Sequence, residues 1–419
     1  MNLKIKDFKL FTAQANFEWS FVRVYADNGL YGTGEAGPAP GLKGMEDEFR
    51  QLLVGEDAFK INRIEQKLRF ASLYAGTTVY HVISAINIAL FDLIGKYLNV
   101  PVWRLLGGDR ESIRVYVDAH GGKGLEAMNA MHLPVNLPWI KSAEVESQRL
   151  ATTSNPVHGR LSIERWNEDY TPEAYSKRAK KLVDEGFTAL KFDLDIPTPY
   201  LKDYLIRSGE LTLKDIDYLA DIMRAVRETV GTEVDLMVDL HWRFNLNTAI
   251  RICEALKPYR LRWIEDPTPA IISIYNMDEL QLLERYCGQI ATGENLYTVY
   301  QFKDLLKTGV KVWTPDGVKC GGISELRRIG ELASMYDIEL SPHNTASPIG
   351  TMAYANVLST ANTLGVLEFH GHDVPFWNDI IKHKKKIIDK GFINLTEEPG
   401  IGLDLDDEAM RKYWPDYDL

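Results

Sequence analysis

Cysteine is scarce in this 419-residue chain: there are three, at positions 253, 287 and 320. They lie far apart and form no Cys-x-x-Cys or Cys/His zinc spacing, which excludes a disulfide-stapled scaffold and a structural zinc site. So sparse and odd a set fits a reducing compartment, and a cytoplasmic protein is expected. Positive charge is also short: 48 Lys and Arg stand against 59 Asp and Glu, a net charge of -11. No nucleic-acid or anionic-membrane partner is expected of such a surface. Unbroken apolar runs stay below the roughly 20 residues of a membrane helix. The opening MNLKIKDFKLF alternates like a strand, unlike a signal peptide. What is there is ordinary globular composition, 45% hydrophobic and 26% charged. The length suits one α/β barrel of roughly 200–250 residues plus a smaller domain.

The first 110 or so residues read as α+β. Ile5–Gln14, Ser20–Ala26 and Leu30–Glu35 alternate as strands, with Asp27-Asn28-Gly29 as a turn. Helical patterns follow at Met45–Leu53, Ile61–Phe70 and Val79–Tyr97. From residue 113 the pattern becomes strand, helix, strand, helix. The strands are expected at Ile113–Asp118, Ala189–Asp193, Asp235–His241, Arg262–Asp266, Gln289–Glu294, Val312–Asp316, Glu339–His343 and Val366–Glu368. Polar residues near the last six strand ends, at 239, 265, 294, 316, 343 and 368, recur every 22 to 29 residues, the length of a βα unit. Eight such strands predict a TIM-type barrel.

A barrel of this kind builds its active site at the C-terminal ends of its strands. Lys191, Asp193, Asp239, His241, Glu265, Glu294, Asp316, His343 and Glu368 all fall there. A single such acid is commonly a solvated loop carboxylate or a helix cap. Seven successive strands ending in ionisable residues are harder to dismiss, because converging carboxylates repel unless a cation sits among them. Asp239, Glu265 and Glu294 form an all-oxygen set suited to Mg²⁺. With a substrate carboxylate bound there, loss of the α-proton would place charge where the cation and Lys191 stabilise it. Glu368, protonated or hydrogen-bonded, is a candidate to hold the second carboxylate oxygen. His343 is the candidate base, with Asp316 holding its other nitrogen.

The run SAINIALFDLIGKYLNVPVWRLLGG closely resembles the hinge segment of the enolase superfamily, in its mandelate racemase-like branch. Asp239, Glu265 within WIEDP and Glu294 within ATGEN resemble that branch's metal ligands; PDGVKCGGISE and SPHNTASPIG resemble its Asp and His dyad segments. Glu368 after VL and PGIGLDLD match its C-terminal features. The resemblance implies an α+β capping domain (1–112, with a tail from about 390–419 returning to it) over a (β/α)₇β barrel (113–389). It also implies Mg²⁺-assisted α-proton abstraction from a carboxylate, and a homo-oligomer.

Two departures narrow the expectation. Many members carry Lys-x-Lys on the second strand, whereas this chain has Lys191-Phe192-Asp193, and Asp193 is a far weaker base. His241 shares a strand face with Asp239 and is similar to the acid of galactonate- and mannonate-type dehydratases. The expected reaction is therefore dehydration of an aldonate to a 2-keto-3-deoxy acid, with (R) configuration at C2. His343 would take the C2 proton and His241 would protonate the departing C3 hydroxyl. Asp193, Arg243, His370 and His372 are candidates for substrate contact. The rivals are a sugar-acid epimerase or cycloisomerase, a metal-dependent hydrolase suggested by Asp118-Ala119-His120, and a non-catalytic sugar-acid-binding or moonlighting protein. A long segment at 121–170, with His132, Trp139, His158 and Arg160, reads as a lid, a subunit contact or a plain insertion. Phe17 and Trp19 sit on a turn that could cover the site.

Overall fold

The computed structural model describes residues 2–71, 73, 76–125, 168–200, 209–271, 274–383 and 386–419. His132, Trp139, His158 and Arg160 lie outside these residues. At the N-terminus β1 (Ile5–Gln14), β2 (Glu18–Ala26) and β3 (Tyr31–Ala36) form an antiparallel meander. α1 (Glu46–Leu53), α2 (Ile61–Ala71) and α3 (Thr78–Leu98) follow. β3 lies directly against α3 because its alternate residues are glycines. A Cβ on Gly32 or Gly34 would fall 1.9 Å from the Ala89 carbonyl oxygen or 2.0 Å from that of Ala85. α3 is long and apolar enough to cross a membrane by length and composition, although its sequence holds no unbroken apolar run of that length. Of its most apolar 18 residues, 83% are buried inside the protein, as expected of a core helix.

The barrel follows. Its strands are β4 (Ser112–His120), β5 (Ala189–Asp193), β6 (Asp235–Asp239), β7 (Ile264–Glu265), β8 (Ile290–Thr292), β9 (Val312–Trp313), β10 (Glu339–Leu340) and β11 (Leu367–Phe369). Each pairs in parallel with the next from β4 to β10. β11 pairs with β4, and a Leu340–Leu364 bridge ties β10 to the segment entering β11, closing the ring. The ladders are shorter than the apolar runs suggest. β6 ends at Asp239 because His241 and Trp242 turn away with φ of 39° and 57°. A short hairpin, β12 (Ile388–Asp389) and β13 (Phe392–Asn394), adds antiparallel to the start of β4.

Helix ends carry the expected chemistry. Thr171 caps α4 (Pro172–Asp184) through a bond from the Ala174 N–H. Thr212 lies just outside α5 (Leu213–Val230) and forms a capping box with Asp215. α6 (Leu246–Leu256) and α7 (Met277–Cys287) follow β6 and β7. Here the reading of the cysteines needs correction: Cys253 of α6 and Cys287 of α7 form a disulfide, with Cα atoms 4.7 Å apart. Adjacent barrel helices bring together residues that sequence distance separates. Cys320 alone is free, and it is buried. The C-terminal tail returns to the capping sheet, where Asp407 pairs with Arg23 at 2.6 Å and Asp404 accepts from Tyr31 at 2.8 Å.

Candidate active site

The floor of the site is an apolar layer of inward-facing residues: Tyr116, Ala189, Met237, Trp263, Ala291, Val312 and Val366. Side chains two positions further along a strand share its face. That step turns Tyr116 into Asp118, Ala189 into Lys191, Met237 into Asp239, Trp263 into Glu265 and Val366 into Glu368. Register then sets them side by side, with Asp193 opposite Asp239 and Asp239 opposite Glu265.

Lys191 is the hub. Its Nζ lies 2.8 Å from Glu368, 3.0 Å from Asp239, 3.1 Å from Glu265 and 3.8 Å from Asp118. Burial opposes its charge, but Glu265 and Glu368 prevail and hold its pKa well above the usual lysine range. Burial also works against an ionised Glu368, yet Lys191 outweighs it and draws its pKa below the ordinary value. Glu368 is thus ionised rather than protonated, and its Oε2 accepts from the Asn344 N–H at 2.8 Å.

Asp239, Glu265 and Glu294 are buried, with one carboxylate oxygen of each within 4.8 Å of the others. Burial and then the neighbouring Asp239, Glu368 and Glu294 push Glu265 up to about 8, even against Lys191. Its Oε1 is buried and has no hydrogen-bond partner among the described residues. An orphaned carboxylate oxygen inside an over-crowded acidic set, with no sulfur or imidazole among the three, fits a divalent metal site.

Two His–Asp pairs flank this set. His343 Nδ1 lies 2.8 Å from Asp316 Oδ2, and its Nε2 is 3.5 Å from Glu294. Asp316 also accepts from the Tyr354 hydroxyl at 2.6 Å and the Val318 N–H at 3.0 Å. Burial raises the Asp316 pKa, but Lys319, His343 and Tyr354 bring it below the ordinary value, so it orients His343 as an anion. Burial disfavours charge on His343; Glu294, Glu368 and Asp316 overcome this and lift it to about 9.

The second pair was only half visible in the sequence. His241 Nδ1 lies 3.0 Å from Asp195, which also accepts from Arg243 Nε at 3.1 Å. Asp195 was missed, although Lys191, Asp193 and Asp195 continue one period-two alternation past the ladder's end. Burial opposes charge on His241, but Asp239, Asp195 and Asp193 hold its pKa well above normal.

The remaining candidates divide. Asp193 turns toward His120, 3.4 Å from its Nδ1, and keeps a buried Oδ1 without a hydrogen-bond partner among the described residues. His370 packs on His120 with ring centroids 4.5 Å apart and bonds Asn16 of the capping domain at 2.8 Å. Asp118, His120 and His370 thus form a second buried cluster beside Lys191. Sequence reasoning had passed over Asn16, and no local pattern marks it. Phe17 lies 5.1 Å from the His370 ring. Trp19 is buried and donates to the Thr345 carbonyl at 3.3 Å, so its role is packing. His372 pairs with Glu185 at 2.7 Å and does not join the site.

Comparison with known proteins agrees with this geometry. The model for the mandelate racemase/muconate lactonizing enzyme N-terminal domain matches residues 10–107, and that for the enolase C-terminal domain-like fold matches 174–409. A D-xylonate dehydratase from Haloferax volcanii is 32% identical, over 98% of this chain and 89% of its own. A D-mannonate dehydratase from a Sphingomonas species is 27% identical, over 98% and 94%. The crystal structure of a mandelate racemase/muconate lactonizing enzyme-like protein from Rubrobacter xylanophilus superposes with a TM-score of 0.83 at 33% identity, covering 99% of this chain and 98% of that one. The chain belongs to the enolase superfamily, in its mandelate racemase/muconate lactonizing enzyme branch.

Proposed function

We propose that this hydro-lyase is a Mg²⁺-dependent aldonate dehydratase that removes the C2 proton, expels the C3 hydroxyl as water and yields a 2-keto-3-deoxy acid. The observation that carries the proposal is the pairing of two differently held imidazoles, His343–Asp316 and His241–Asp195, around one buried carboxylate set. The acid-sugar names of the full-length relatives support the substrate class.

Asp239, Glu265 and Glu294 would hold Mg²⁺, which when bound supplies Lewis-acid stabilisation of charge on a substrate carboxylate. Lys191 places a permanent positive charge beside that carboxylate. His343 acts in its neutral form: a cation held by Glu294 would offset the first of the charges that raise its pKa, leaving Nε2 to take the C2 proton while Asp316 accepts from the Nδ1–H. His241, held as imidazolium by Asp195, gives the proton that turns the C3 hydroxyl into water. The enol so formed ketonises. Positioned acid–base groups of this kind contribute about 10²–10⁴-fold each.

The test is a screen of the purified protein with Mg²⁺ against aldonic and aldaric acids, read as 2-keto-3-deoxy acid formation. Turnover of an aldonate that EDTA abolishes and Mg²⁺ restores is the expected result. Proton exchange at C2 without loss of water would favour an epimerase. No turnover and no exchange across the library would contradict the proposal.

A further inference from the structure

The capping domain reaches both members of the His343–Asp316 pair. Glu35 is the last residue but one of β3, and the chain beyond it continues toward the barrel. Glu35 is buried, and its two carboxylate oxygens accept from three donors on the loop after β10 and the first turn of the helix that follows it. These are the Ser347 N–H at 2.8 Å, the Ser347 hydroxyl at 2.5 Å and the Gly350 N–H at 2.8 Å. That loop carries His343 and leads into α8 (Pro348–Leu358). Two residues after Glu35, the Gly37 N–H donates to the Val318 carbonyl at 2.9 Å. Val318 in turn donates its N–H to Asp316.

Space has been cleared for this contact. A Cβ on Gly350 would come within 2.9 Å of Glu35 Oε2 and 2.5 Å of the Ala346 Cβ. On the other side, Gly32 and Gly34 let β3 sit against α3 and so set how far Glu35 reaches. A buried carboxylate at the start of a helix, with three donors, is a strong and directional anchor. Nothing in the reaction requires it. Its effect is to hold the His343 loop at Ser347, while Asn344 of the same loop is bound to Glu368.

We propose that Glu35 is a positioning residue for His343: through Ser347 and Gly350 it sets the His343 loop against the Asp316 loop that Gly37 holds. The functional part of this inference rests on His343 being the base. Misplacing a reacting group by an ångström can cost on the order of 10²-fold in rate, so loosening this clamp should act on proton removal and spare binding.

The experiment uses the full-length, Mg²⁺-loaded protein with ¹⁵N-labelled histidine rings. The His343 Nδ1–H resonance is identified by its disappearance in His343→Asn. In Glu35→Gln one acceptor oxygen becomes a donor facing donors. The expected result is a shifted or broadened His343 resonance, with the His241 resonance and Mn²⁺ affinity unchanged. On an aldonate that the wild type dehydrates, kcat should fall about 10-fold or more with KM unchanged. Ser347→Ala, which removes one donor, should move the same resonance in the same direction by less, and decides the matter if Glu35→Gln does not fold. An unmoved His343 resonance, or loss of His241 order and Mn²⁺ affinity in step with it, would overturn the proposal. Full activity of His343→Asn would instead sink the reading of the base, while the resonances still decide the role of Glu35.

Discussion

Around Lys191 one ammonium faces four carboxylates, those of Glu368, Asp239, Glu265 and Asp118. The imbalance makes cation binding and stability inseparable. Mg²⁺ at about a hundred times its dissociation constant should stabilise the fold by about 2.7 kcal/mol. Thermal denaturation with and without Mg²⁺ should show that gain, and Glu265→Gln should lose most of it. At His343 the prediction concerns chemistry instead: His343→Asn should lower kcat by about 10³-fold and leave the Mg²⁺-dependent thermal shift in place. Loss of that shift together with activity would mark His343 as structural. Asp195→Asn should weaken the acid step alone, about 10-fold or more in kcat, because His241 keeps its place beside Asp239 but loses the counter-charge bonded to its Nδ1.

Elements explain why some of this was legible and some was not. A barrel strand is an apolar run that surfaces at its C-terminal end, so Met237 to Asp239 and Trp263 to Glu265 announce both strand and site in one short pattern. The ladders nevertheless stop early, since positive-φ residues such as His241 and Asp266 turn the chain out of the sheet. Local alternation reaches no further than one strand. Asn16 meets His370 across 354 residues of sequence, and Glu35 meets Ser347 across 312; only the docking of the cap brings them together. The disulfide has the same origin. Cys253 and Cys287 close a 34-residue interval between neighbouring helices. Loop-closure entropy for such an interval is worth about 4 kcal/mol. Reduction, or Cys253→Ser with Cys287→Ser, should therefore lower the denaturation midpoint without changing kcat at 25 °C, which denaturant titration in both redox states would measure. Identical midpoints would argue against the bond.

For the molecule as a whole, the seam between cap and barrel is where folding and acid stability meet. His81 of α3 is buried between the Gly37 carbonyl and the Tyr297 hydroxyl, 3.0 Å from each. Lys319 and Asp316 are the charged groups facing it. Burial is the main reason its pKa falls to about 4 from 6.5. A histidine whose folded value is depressed gives its stability above the unfolded value. That contribution is lost as pH falls from about 6.5 toward 4, to a total of about 3 kcal/mol. His81→Gln should flatten this acid limb, as urea titrations at pH 7 and pH 4.5 would reveal; an unchanged difference between them would contradict it. Because the same seam carries Glu35 and Gly37, acid loosening of the cap should precede loss of the barrel.

In the proposed reaction one site divides proton removal and water loss between two histidines. The most direct measurement is C2 exchange in D₂O, followed by NMR on an aldonate substrate with Mg²⁺ present, in His241→Asn and His343→Asn. The account predicts deuterium at C2 without dehydration in His241→Asn, and neither exchange nor dehydration in His343→Asn. Exchange that persists in His343→Asn, or dehydration that persists in His241→Asn, would contradict it.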